Sequence, residues 1–138
     1  LAAFMVHLLE ERTTGVFNVD GPSRPAPMGE LLEACVTAAH NDARLTWVDW
    51  PFLEAQGVRA WLDLPAWQPP PQGSDQVPAV SCARAREVGL RFRSILETVE
   101  ATMAFELERA PAERPPRFGI SREREAEVLS AWHARPGV

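Results

Sequence analysis

The sequence predicts an α/β chain in which short strands are set among more numerous helices. Three observations point that way. Leu1, Phe4, Met5, Leu8 and Leu9 recur at the i, i+3, i+4, i+7 spacing of an amphipathic helix. Val16-Phe17-Asn18-Val19 is a run rich in β-formers that ends in Asp20-Gly21-Pro22. Helix-period segments opened by capping residues then occupy most of the remaining chain.

Taken in order, Thr13-Thr14-Gly15 stops the first helix and residues 16–19 read as a strand. Asp20-Gly21-Pro22 turns the chain, and Pro22 to Pro27 forms a rigid loop. Met28 to His40 is a second helix with Leu31, Leu32, Cys35, Val36 and Ala39 on one face. Pro27 suits its first turn and Asn41-Asp42 its end. Leu45 to Val48 reads as another strand, and Pro51 to Gln56 as a helical turn stopped by Gly57. Trp61 to Pro78 is a proline-rich loop pinned by its aromatics. Ser81 caps a short helix with Ala83, Ala85 and Val88 inside and Gly89 as its stop. Leu90-Arg91-Phe92-Arg93 alternates like an edge strand, with its arginines on one face. Ser94-Ile95-Leu96-Glu97 is a capping box. It opens a helix to about Arg109 whose inward residues are Leu96, Val99, Met103 and Leu107. Ala110 to Gly119 is a Pro/Arg linker. Ser121 caps a last helix with a thin apolar face of Val128, Leu129 and Trp132.

Composition narrows the chemistry. A net charge of −5 argues against a general nucleic-acid or anionic-membrane binder. No apolar run is long enough to span a bilayer, and LAAFMVHLL lacks the basic start and cleavage site of a signal peptide. There is no Tyr, and all 14 basic residues are Arg. A Lys Schiff base, a P-loop Lys and a Tyr–Lys acid/base pair are therefore excluded from this chain. The glycines form no phosphate-binding cluster. Cys35 and Cys82 make no metal or redox pair, and Cys35 reads as a small buried hydrophobe within its helix. A cytoplasmic location is expected. With a helix pattern already running at Leu1, the chain reads as cut from something longer.

The candidate site residues each carry two readings. Trp47, Trp50, Trp61 and Trp67 fall within one short stretch, as aromatics that line a small-molecule site or that plug a small core. Asp49, Glu54 and Asp63 lie nearby, as acid/base carboxylates or as solvated loop charges. Arg59, Arg84, Arg91 and Arg93 either grip an anionic substrate with the guanidinium fork or cover the surface. His7, His40 and His133 sit on separate helices with no ligand spacing. Ser81, Ser94 and Ser121 are better read as caps than as nucleophiles.

The order of these elements resembles the C-terminal part of an extended short-chain dehydrogenase/reductase, of the NAD(P)-dependent epimerase/dehydratase type. LAAFMVHLLEERTTGVFNVDGP is similar to the family's late helix and the strand that follows. MGELLEACVTAA resembles its next helix, and LTWVDWPFLEAQGV with WLDLPAWQP its variable substrate-side segment. Gly89-Leu90-Arg91-Phe92-Arg93 with Glu97-Thr98 is the most specific match. The family's Gly-rich nucleotide loop and Tyr-x-x-x-Lys pair have no counterpart here, so no catalytic residue is carried over.

The resemblance implies that residues 1–22 are the last helix and strand of a Rossmann-type dinucleotide-binding domain. It implies that 23–109 form a helix-rich substrate-side domain and 110–138 a linker and C-terminal helix. Trp61, Leu64, Trp67 and Arg91 are then expected at the substrate wall, against a small molecule such as a nucleotide sugar. The parent would use NAD or NADP, while this chain alone would bind neither and would be inactive. Nucleic-acid and membrane partners are not expected. Two-helix homodimer seams are common in the family, with their helices upstream. The alternative expectation is a small α-rich interaction or regulatory domain without activity, using the first helix and the Val16–Val19 strand as partner surfaces.

Overall fold

The computed structural model describes residues 1–69, 80–110 and 119–135. They contain the helices α1 (Ala2–Glu10), α2 (Met28–Ala38), α3 (Trp50–Ala55), α4 (Ala83–Glu87), α5 (Ile95–Glu108) and α6 (Arg122–His133). The second half of the loop expected over Trp61–Pro78 and most of the Ala110–Gly119 linker lie outside the described residues.

Among the described residues no strand forms, which corrects the α/β expectation. The chain is helix-rich, and Val16–Val19 does not end a Rossmann-type sheet. A strand exists only when a neighbour supplies a ladder of backbone bonds. Residues 16–20 instead meet residues 81–82 through side chains. Asn18 Nδ2 donates to the Ser81 carbonyl at 3.4 Å, and the Asp20 N–H donates to Cys82 Sγ at 3.2 Å. Leu45–Val48 is likewise not a strand, and Trp47 within it is 63% exposed. Among the described residues the one bridge, between Ala60 and Leu64, is isolated.

The chain divides into two units. The first is Leu1–Asp42 with Pro78–Glu108. Its core is Phe4, Ala85 and Leu90, with Leu8, Phe17, Cys82, Val88 and Phe92 packed around them. Phe4 meets Phe17 edge-on, with centroids 6.0 Å apart. Arg84 lies over Phe17 at 5.1 Å and Arg86 over Phe92 at 5.6 Å, so the two arginines of α4 cover the rings of this core. In the same unit α2 packs on α5. The buried residues of α2 are Ala34 and Ala38, whose small side chains let two helices approach closely. That stripe is turned by one position from the expected one, which leaves Cys35 exposed rather than buried. On α5, Val99 and Met103 are half-buried as expected, but Leu96 and Leu107 are exposed.

The second unit is Ala43–Val77 with Arg109–Val138. Val58, Val128 and Trp132 are buried there, and Phe52 meets the Trp132 ring edge-on at 5.1 Å. Local sequence explains where these helices begin and end. Ser94 and Glu97 exchange hydrogen bonds at 2.7 and 3.1 Å, the expected capping box. Ser121 Oγ accepts the Arg124 N–H at 3.2 Å. Gly57 and Gly89, at φ +74° and +103°, each end a helix with a paired 5→2 and 6→1 bond. The residue after each, Val58 or Leu90, is buried.

Candidate functional site

In the second unit, residues 58–67 close on themselves. The Arg59 guanidinium grips Asp63 through two contacts of 3.0 Å, and the Arg59 N–H reaches the same carboxylate at 2.8 Å. The Trp61 N–H donates to the Trp67 carbonyl at 3.0 Å, and the Trp67 N–H to the Leu64 carbonyl at 3.2 Å. Trp61, Leu64 and Trp67 are thus joined in one loop. Trp61 presents a side chain that is 60% exposed, while Leu64 and Trp67 are half-buried. Arg91 belongs to the first unit, exposed, with Nη1 turned back 3.4 Å from the Leu90 carbonyl.

Asp63 is therefore a structural carboxylate. Hydrogen bonding from the Arg59 side chain and then its backbone holds its pKa below the ordinary value, keeping it ionised rather than poised for proton transfer.

Trp67 packs on Trp50 with centroids 5.0 Å apart. Trp50 in turn lines an open cleft of about 610 Å³ with Asp49, Pro51, Phe52 and Arg135. The short helix α3 supplies most of it, because Pro51 presets the first-turn backbone and holds Trp50 and Phe52 at its start. The remaining wall comes from the end of α6. The Arg135 guanidinium carbon lies 5.1 Å from the Phe52 centroid and 4.6 Å from that of Trp132, so two rings hold the group in place. The Arg124 guanidinium donates to the Gln56 carbonyl, tying α6 to the end of α3.

Sequence reasoning named Trp50 and Asp49 only as members of clusters and did not single out Phe52 or Arg135. The signal for Arg135 was its i, i+3 spacing from Trp132 at the helix end.

No group of His, Cys, Asp and Glu among the described residues could hold a metal ion. Among the described residues, two helix N-termini are unsuited to a dinucleotide. The α5 N-terminus is taken up by the Glu97 carboxylate, and α2 carries Glu30 in its first turn, which opposes a pyrophosphate. Among the described residues no helix is long and apolar enough to cross a membrane. No family model, curated protein or solved structure matches the chain.

Proposed function

We propose that this chain is the substrate-side part of an NAD(P)-dependent epimerase, dehydratase or reductase, supplying binding surface rather than catalysis. One observation carries the reading. The two segments that resemble the family best, residues 15–21 and 89–93, lie far apart in sequence and meet on one core. Phe17 and Phe92 both pack against Phe4, Ala85 and Leu90, and a Cβ added at Gly21 would meet the Phe92 ring at 3.4 Å. A chance match of two short motifs would not require them to share a core. The arginines of the second motif stay exposed while Leu90 is buried, which leaves Arg91 available to an anionic substrate. In the second unit, and separately, Trp61 offers an exposed apolar face. The dinucleotide would be held by the rest of the parent, and a cytoplasmic setting suits the free thiols of Cys35 and Cys82.

A second reading, an interaction domain, draws on α1. Its Met5 and Leu9, with Leu1 just before it, form an i, i+4, i+8 stripe that stays exposed, up to 78% at Leu9.

An assay of the purified 138-residue chain tests the division of labour. No NADH or NADPH oxidation is expected with any nucleotide sugar or carbonyl substrate. Turnover that follows the chain through purification would overturn the proposal.

A further inference from the structure

The cleft of the second unit carries a separate inference, independent of the family resemblance because α6 lies beyond the resembling segments. Its two charges are opposite and do not meet. Elsewhere Arg24–Glu30, Arg59–Asp63 and Arg124–Glu127 close to within 3.0 Å. Asp49 and Arg135 line the same cleft, yet the described residues give neither side chain an ion pair or hydrogen bond. The Asp49 carboxylate does not cap α3, and the Arg135 guanidinium carbon lies over the Phe52 and Trp132 rings, with no acceptor for its N–H groups among the described residues. The rest of the lining is apolar: Trp50, Pro51 and Phe52.

We propose that this cleft binds a small zwitterion with an apolar body, of the class of a free α-amino acid with an aromatic or large aliphatic side chain. Its carboxylate would take the planar fork of Arg135, which matches two carboxylate oxygens at once. Its ammonium would donate to Asp49, for which a cation is a better partner than a neutral hydroxyl. Its side chain would lie on Trp50 and Phe52, and Trp67, packed against Trp50 at a tilt of 48°, holds that ring as a positioning residue. A neutral total charge on the ligand suits a site whose own charges cancel. A dianion would gain Arg135 but face Asp49.

Three probes of one shape test this on the full chain: L-phenylalanine, 3-phenylpropionate without the amine, and 2-phenylethylamine without the carboxylate. Binding is followed by the indole N–H signal of Trp50 in NMR titrations, assigned with Trp50→Phe. L-Phenylalanine should give saturable shifts and bind about threefold to tenfold tighter than either single-charge analogue. Asp49→Asn should reduce phenylalanine to the level of phenylpropionate without weakening phenylpropionate. Arg135→Gln should reduce it to the level of phenylethylamine. Glu54→Gln, an exposed carboxylate of α3 outside the cleft, should change nothing. Equal affinity for the three probes, no saturable shift, or the same loss in Glu54→Gln would overturn the proposal. Unchanged far-UV circular dichroism confirms that each variant is folded.

Discussion

Gly89 meets two constraints at one position. Its φ of +103° lies where side chains are strained, and an added Cβ would fall on the His7 imidazole. Gly89→Ala is expected to destabilise the first unit by roughly 1–3 kcal/mol, read as a lower midpoint in urea. Arg12 sits in the same left-handed region, at φ +50°, and its N–H and that of Thr13 make the corresponding pair of bonds to α1. Arg12→Gly should therefore be neutral or stabilise by up to about 1 kcal/mol, the reverse sign at a geometrically similar site. Glu97 adds a pH dependence. Hydrogen bonding from the Ser94 side chain, then its backbone, lowers the Glu97 pKa in the folded chain. A depressed carboxylate contributes stability above its unfolded pKa and loses it as pH falls through the folded one. Glu97→Gln should flatten the acid limb of a melting-temperature profile below the usual glutamate range and leave its slope at neutral pH unchanged. Capping residues of this kind are legible in sequence because their chemistry is local: Ser94, Glu97, Ser121, Gly57 and Gly89 all act within a few residues of themselves.

The helices themselves were legible from periodicity, but the face each one buries was decided by its neighbour. On α2 the pattern alone favours Cys35 and Ala39, since larger apolar residues flank them. The residues buried on α2, which packs on α5, are Ala34 and Ala38 instead, and small residues permit closer approach. Ala38→Leu should cost about 1–3 kcal/mol through overpacking. Cys35→Ser should stay within about 0.5 kcal/mol of the parent, as surface substitutions do. Native-state labelling with a thiol reagent should modify Cys35 faster than the half-buried Cys82. The strands failed for a different reason. Residues 16–19 have the composition of a strand, but composition does not provide a ladder partner, and the side-chain contacts to Ser81 and Cys82 do not replace one. Val16, 83% exposed, shows what an extended β-forming run looks like without a sheet. The cleft was illegible for a similar reason. Arg135 and Phe52 are far apart in sequence, and only the packing of Trp132 on Phe52 brings them together.

At the scale of the whole molecule, the chain has two cores built by different logic. The first unit collects the motif residues Phe17, Leu90 and Phe92 around Phe4 and Ala85. Phe4→Ala should cost about 3–5 kcal/mol and weaken protection of amides on both sides of that core, at residues 16–21 and 89–93 together. Loss at only one of those segments would argue that they do not form one cooperative body. The second unit carries the aromatic cleft and its two opposed charges. The proposed function assigns binding to this chain and reaction to another part of its parent. The coding DNA upstream of Leu1 tests that division most directly. An open frame encoding a Gly-rich strand–helix turn and a Tyr-x-x-x-Lys pair is the predicted result. A start codon close to Leu1, with neither motif in frame, would contradict it.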